Sequence, residues 1–133
     1  MKYFLGDRSI KRLVGVHPAL VAVVKRAIQI TEVDFTVLEG LRTRTRQLAL
    51  VRAGASQTMN SRHLAHPQDG LARAVDLGAY VGKQVRWDWP LYHKIAKAMK
   101  QAAKELEIPL EWGGDWKSFK DGPHFQLPRK THP

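Results

Sequence analysis

The fold is decided by the segment Ala72-Arg73-Ala74-Val75-Asp76-Leu77-Gly78-Ala79, a short apolar run around one acidic residue. Its length and apolar character predict a buried β-strand. A carboxylate buried in a strand costs several kcal/mol unless it is paired or binds a cation. Asp76 is therefore predicted either to bind a metal ion, or to cap a loop or pair with one of the many arginines. The segment alone leaves both possibilities open.

A helix and a short strand are predicted in the first forty residues. Residues 18–28 form an amphipathic pattern with Pro18 in the first turn, which predicts a helix. Its apolar stripe comprises Leu20, Val24, Ala27 and Ile28. Residues 35–39 carry β-branched and aromatic side chains and end at Gly40, which predicts a short strand. Arg42 is then expected just past the end of that strand.

The region between residues 46 and 70 is predicted to contain a short helix followed by a loop. The helix spans Arg46 to Ala53 and would end at Gly54. From Ala55 to Gly70 the composition turns polar, with Ser, Asn, His, Pro, Asp and Gly. Such a composition favours a surface loop over a linker between domains.

The strongest helical pattern follows Asp88, which can cap a helix that has Pro90 in its first turn. One face of this helix carries Leu91, Ile95, Ala98, Met99, Ala102 and Leu106. Residues 109–112 and 124–127 predict two closing strands joined by a Gly-rich, aromatic loop. Helices and short strands without a regular βαβ rhythm predict an α+β fold, with a short, mainly antiparallel sheet packed against about three helices.

Size and composition are typical of a folded protein. The 133 residues fit one domain, expected to span 1–133, and 44% apolar with 26% charged residues argues against a disordered or fibrous chain. No apolar run approaches the length of a membrane span, and the first residues lack the apolar core of a signal peptide. Because the chain has no cysteine, any zinc must be held by histidine and carboxylate, which favours a catalytic over a structural metal.

The formal charge of +10 and a pI near 10.2 predict attraction to polyanions. Nucleic acid, anionic lipid, lipopolysaccharide, teichoic acid and cell wall all qualify, and charge does not choose among them. Arg42, Arg44 and Arg46 alternate along the chain, but no recognised nucleic-acid-binding motif accompanies them. No specific nucleic acid is therefore expected, and the basic surface can hold the protein near anionic envelope polymers.

A set of metal-binding residue types is spread along the chain. His63, Asp76 and His124 could close on one divalent metal, and Asp121 lies three residues before His124. Three protein ligands, an open position for water and a base are the minimum for metal-assisted hydrolysis. Taken singly each residue is ambiguous, because a lone histidine is more often structural than a ligand.

The order of short motifs between Phe35 and Leu127 adds a family resemblance. The motifs are Gly40-Leu41-Arg42-Thr43 with Gln47, Ser61-Arg62-His63, Ala74-Val75-Asp76-Leu77, Trp112-Gly113-Gly114-Asp115-Trp116 and Asp121-Gly122-Pro123-His124-Phe125. Together they resemble the zinc peptidases of peptidoglycan. That group includes phage L-alanyl-D-glutamate endopeptidase endolysins and the D-Ala-D-Ala carboxypeptidases and dipeptidases.

The resemblance implies a role for each matching residue. His63, Asp76 and His124 become the ligands of a Zn²⁺ ion at one edge of the sheet. Asp121 matches the catalytic acidic residue, which takes a proton from water and returns it to the leaving amine. Arg42 matches an arginine that orients the scissile carbonyl and stabilises the developing oxyanion.

This sequence departs from the family between the first two ligands. The residues Ala65-His66-Pro67-Gln68-Asp69-Gly70 form an apparent insertion that lengthens the gap from His63 to Asp76. His66 could substitute for His63 as a ligand, although the Ser61-Arg62-His63 context favours His63. The other interpretation of His66 is a solvated loop histidine.

Two further assignments stay open at this level. Asp115 competes with Asp121 for the role of the base, but it could equally stabilise a turn or hydrogen-bond to a zinc-bound histidine. The offset of Asp121 from His124 matches the family and favours Asp121. A wall of the cleft, or alternatively the core, is predicted for Trp112, Trp116 and Phe119.

The resemblance implies a phage-type endolysin, a bacteriolytic zinc metallopeptidase that cleaves the peptidoglycan stem peptide at the L-Ala-D-Glu bond. Such a monomeric enzyme would be made in the host bacterial cytoplasm without a signal peptide. It would act on the cell wall after release through a membrane pore made by another protein. The alternatives are a D,D- or L,D-carboxypeptidase of peptidoglycan, and a basic polyanion-binding module whose His and Asp residues are structural.

Overall fold

The computed structural model describes residues 2–133, which form four α-helices and a five-stranded antiparallel sheet. The helices are α1 (Asp7–Arg12), α2 (Pro18–Ile30), α3 (Arg44–Arg52) and α4 (Trp89–Leu106). The strands are β1 (Phe35–Glu39), β2 (Ala74–Val81), β3 (Gln84–Arg86), β4 (Glu111–Trp112) and β5 (His124–Gln126). The α+β prediction is confirmed, and no helix among the described residues is long and apolar enough to cross a membrane.

The segment around Asp76 is the central strand of the sheet, as its apolar character predicts. The strand order is β1-β2-β5-β4, and β3 pairs with β2 in a hairpin. Asp76 lies opposite Glu39 of β1 on one side and opposite His124 of β5 on the other. This row marks the edge of the sheet where β1 ends and β5 begins, so three polar residues from distant parts of the sequence lie side by side.

The hydrophobic core lies between the sheet and the two long helices, α2 and α4, which pack against each other. Burial of apolar surface from both elements is the main force that holds this arrangement. The side chains buried most completely include Leu20, Leu77, Ile95, Met99 and Phe125. The predicted stripes of α2 and α4 face this core, with one exception: Leu106 is exposed because α4 ends there.

Several boundaries differ from prediction for local reasons. Helix α3 begins at Arg44, before the predicted Arg46, because the Thr43 side chain accepts a hydrogen bond from the Arg46 N–H and caps the helix. Asp88 occupies the N-cap position of α4, but its carboxylate binds Arg86 and makes no capping bond. The predicted closing strands are present and shorter, as β4 and β5.

Helix α1 and strand β3 are present in the structure but were not predicted. Helix α1 has no apolar stripe, and it docks through Ser9, whose hydroxyl accepts a bond from the Val37 N–H and lies 3.0 Å from Thr36 Oγ1. Strand β3 follows a tight turn in which Gly82 and Lys83 have positive φ angles. Short elements of this kind depend on contacts with distant residues, which periodicity does not report.

Candidate metal centre

His63, Asp76 and His124 converge in the folded chain. Each offers one ligand atom, and these atoms all lie within 4.8 Å of one another. Asp76 Oδ1 is 3.3 Å from His63 Nε2 and 3.2 Å from His124 Nδ1. The sheet register places Asp76 beside His124, whereas His63 reaches them from the loop that precedes β2.

The loop brings His63 back to the sheet through bonds to the segment after β1. The Arg42 N–H donates to the His63 carbonyl at 2.8 Å, and the His63 ring nitrogen Nδ1 lies 2.8 Å from the Gly40 carbonyl. A side chain at Gly40 would collide with the Arg12 carbonyl and with Val16. Only glycine therefore lets those two residues pack closely against the segment after β1.

The inserted residues close into a compact turn. The Gly70 N–H donates to the His66 carbonyl at 2.7 Å, and the His66 N–H donates to the Leu71 carbonyl at 3.0 Å. The His66 ring accepts a bond from the Gln68 N–H and is not part of the converging group. The structure therefore brings His63, and not His66, next to Asp76 and His124.

The donor set suits a divalent metal. His63 Nε2 is buried and has no hydrogen-bond partner among the described residues, although it faces Asp76. A buried nitrogen left without a partner is costly, and a metal ion would satisfy it. Two imidazoles and one carboxylate are ligands that zinc accepts, and three protein ligands leave a position open for chemistry. The group can hold a metal ion.

Asp76 and His124 shift each other's pKa values. Burial alone raises the pKa of the Asp76 carboxyl, but the hydrogen bond from His124 and the nearby His63 ring outweigh it and hold that pKa well below its ordinary value. Burial lowers the pKa of His124, whereas the hydrogen bond that its protonated ring donates to Asp76 raises it, and the net direction is upward. Asp76 is thus anionic, as a metal ligand must be.

Asp121 lies in the same cleft, at the turn before β5. Burial, followed by the nearby Asp76 carboxylate, raises the pKa of Asp121 above its ordinary value. The turn is held by the Trp112 indole N–H, which donates to the Gly122 carbonyl at 2.7 Å, and by the packing of Gly122 against the ring of Tyr92. Asp115, by contrast, is exposed and pairs with Lys100 at 2.8 Å.

Arg42 is fixed against the group by two partners. Its guanidinium donates to both carboxylate oxygens of Glu39, at 2.8 and 2.7 Å, and to Gln47 Oε1 at 2.8 Å. Its Nη2 lies 3.6 Å from Asp76 Oδ2. Gln47 is fully buried and also donates to the Thr58 carbonyl, so it links Arg42 to the loop. No role was predicted for Glu39, and Gln47 entered only as part of a motif, although both are close to Arg42 in the sequence. Proximity in the sequence does not report which side chains bond to each other.

An open cleft of about 770 Å³ is lined by His63, Asp76, His124, Asp121 and Arg42. Trp116 and Phe119 lie along one side of it, as predicted, and the Trp116 ring is 5.2 Å from that of His124. Trp112 does not line this cleft; it packs in the core against Phe125. The mouth carries the cations Arg46, Lys120 and Arg129.

Known proteins are similar to this chain in sequence. A family model described as phage L-alanyl-D-glutamate peptidase matches residues 1–128. The chain is 31% identical over 136 residues to the L-alanyl-D-glutamate peptidase of Escherichia phage T5, a match that covers 99% of this chain and 94% of that protein. It is 40% identical over 100 residues to the L-alanyl-D-glutamate peptidase of Listeria phage A118, which covers 75% of this chain but 32% of that longer protein.

The three-dimensional structure extends the similarity. The crystal structure of the L-Ala D-Glu endopeptidase ChiX from Serratia marcescens matches with a TM-score of 0.89 and 46% sequence identity. The match covers 99% of this chain and 96% of that chain. At this identity and coverage, the likeness extends to the whole fold.

Proposed function

The chain belongs to the phage L-alanyl-D-glutamate peptidase family, and on that premise we propose that it hydrolyses the L-Ala-D-Glu bond of the peptidoglycan stem peptide. The observation that carries the proposal is the convergence of His63, Asp76 and His124 in one cleft with Asp121. A buried donor set beside a second carboxylate suits hydrolysis better than a purely structural role.

We propose that the metal is zinc and that it is held by His63 Nε2, an Asp76 oxygen and His124 Nδ1. These are the atoms that face one another, and the absence of cysteine agrees with a catalytic type of site. When bound, zinc supplies a Lewis acid that polarises the scissile carbonyl and makes water more acidic.

Asp121 is the proposed general base and acid. It takes a proton from the attacking water as the water oxygen bonds to the scissile carbonyl carbon. As the C–N bond breaks, it returns the proton to the leaving amine. Its raised pKa and its place in the cleft support this role, whereas Asp115 is engaged with Lys100 at the surface.

Arg42 is proposed to stabilise negative charge on the carbonyl oxygen in the transition state. Its pairing with Glu39 and Gln47 holds the guanidinium in one place before substrate arrives, and a preorganised charge is worth more than a mobile one.

The remaining expectations extend this proposal. One hydrophobic core supports a single catalytic domain over residues 1–133, and the net charge of +10 supports contact with anionic envelope polymers. The monomeric state, the synthesis in the host cytoplasm and the release through a membrane pore stay predictions from the family resemblance.

Purified peptidoglycan digested by the zinc-loaded protein tests the proposal through the masses of the released peptides. Released peptides that begin with D-Glu are expected, with L-Ala left on the glycan strand, together with stoichiometric zinc by elemental analysis. Release of free D-Ala would instead indicate a carboxypeptidase. Salt-sensitive binding to the wall without any new termini would favour the polyanion-binding module and refute the peptidase.

A further inference from the structure

A chain of hydrogen bonds runs behind His124, on the side away from Asp76. His124 Nε2 lies 2.7 Å from Gln126 Oε1, and the Gln126 amide nitrogen donates to Glu111 Oε2 at 3.0 Å. The Trp116 indole N–H donates to the same Glu111 oxygen at 2.9 Å. Both His124 and Gln126 are buried, so water does not replace these contacts easily.

The chemistry of these groups decides which atom donates and which accepts in each hydrogen bond of the series. A carboxylate only accepts hydrogen bonds, so Glu111 requires the NH₂ of Gln126 to point towards it. The amide oxygen of Gln126 must then face His124, which requires the hydrogen of that ring to sit on Nε2. His124 Nδ1, which faces Asp76, is left with its lone pair free for a metal ion.

In His63 the hydrogen is placed on the other ring nitrogen, by a backbone carbonyl and not by a side chain. Its Nδ1 faces the carbonyl oxygen of Gly40, which can only accept, so its hydrogen sits on Nδ1 and its Nε2 faces Asp76. The two histidines therefore present different nitrogens to one point. Only the orientation of His124 depends on a side chain that substitution can change.

We propose that Gln126 and Glu111 are positioning residues that hold His124 in the Nε2–H tautomer and so present Nδ1 to the metal. The metal in this statement rests on the proposed function, whereas the tautomer does not. Partners of this kind typically change metal affinity by about 10- to 100-fold when they are removed.

The test compares two variants. Gln126→Met has a similar length and removes the acceptor for His124. The double variant Gln126→Glu with Glu111→Gln reverses the amide and the carboxylate. Its new carboxylate still accepts from His124, and its new amide still donates to that carboxylate and accepts from Trp116.

The tautomer is measured from the ¹⁵N shifts of the neutral imidazole rings in the zinc-free protein. Zinc affinity is measured by competition with a chelator. Gln126→Met is expected to give a mixture of His124 tautomers and about 10- to 100-fold weaker zinc binding. The double variant is expected to restore the Nε2–H tautomer and most of the affinity, and the His63 shifts should stay unchanged in both proteins.

A Gln126→Met protein that keeps the Nε2–H tautomer and full zinc affinity would overturn the proposal. So would a folded double variant that loses the tautomer, which decides the matter if Gln126→Met does not fold. A wild type with the expected tautomer but no peptidoglycan hydrolysis would refute the proposed function and leave this inference standing.

Discussion

The two halves of the candidate site are built in different ways. Asp76 and His124 lie opposite each other on adjacent strands, so the backbone ladder of the sheet sets their distance. His63 and Arg42 come from irregular segments that are held by a few hydrogen bonds to Gly40, Glu39 and Gln47. We therefore expect the strand half to open only with the sheet, and the loop half to loosen while the sheet stays folded.

Removal of a ligand from either half should have the largest effect. His124→Ala and His63→Ala are each expected to abolish stoichiometric zinc and hydrolysis, because two remaining ligands hold the ion poorly. His66→Ala is the matched control in the same loop and should keep both properties. Metal content and peptide release from peptidoglycan measure the result. If His66→Ala lost the metal and His63→Ala kept it, the ligand role would pass to His66.

Asp121→Ala should separate chemistry from metal binding. The proposed base is not a ligand, so zinc content and the circular dichroism spectrum should match those of the wild type. Hydrolysis should fall by about 10²- to 10⁴-fold, the usual contribution of a general base. Asp115→Ala removes an exposed carboxylate nearby and should leave the rate almost unchanged. An active Asp121→Ala protein would show that another group takes the proton.

Gln47→Leu should loosen the loop half alone. The substitution removes the acceptor for Arg42 and the donor to the Thr58 carbonyl, and we expect a loss of about 1 to 3 kcal/mol in the free energy of unfolding. Hydrolysis should fall while zinc content stays, because Gln47 bonds to Arg42 and to none of the three proposed ligands. Urea unfolding and steady-state rates measure both effects. Gln101→Leu, on the exposed face of α4, is the control, and an equal effect there would contradict the distinction between the halves.

Acid should weaken the inserted turn through Asp69, with the smallest effect of the four. Hydrogen bonds from Arg73 hold the pKa of Asp69 below its ordinary value of 3.8. The folded protein therefore binds this proton less readily than the unfolded chain does, so the stabilisation is complete above about pH 4 and is lost as the pH falls below it. The difference in melting temperature between wild type and Asp69→Asn should shrink between pH 5 and pH 2. A constant difference would mean that the pair does not titrate as expected.

The local pattern of the sequence predicted most of the fold. The stripes of α2 and α4, the strand before Gly40 and the apolar run around Asp76 are all short-range patterns, and each appears where it was expected. Helix α1 and strand β3 were not predicted, because both depend on contacts with other elements. Ser9 holds α1 against β1, and β3 is held by its pairing with β2. Neither contact leaves a periodic signal in its own segment.

The sequence by itself determined the kinds of residue available for chemistry and the family to which their order belongs. Only the tertiary structure decided which members of each pair meet: His63 and not His66, Asp121 and not Asp115. It also showed Gln126 and Glu111 behind His124. The physical reason is the distance along the sequence over which each effect acts. Helix and strand patterns arise between near neighbours. A site forms where strand register and loop closure bring distant side chains within hydrogen-bond distance.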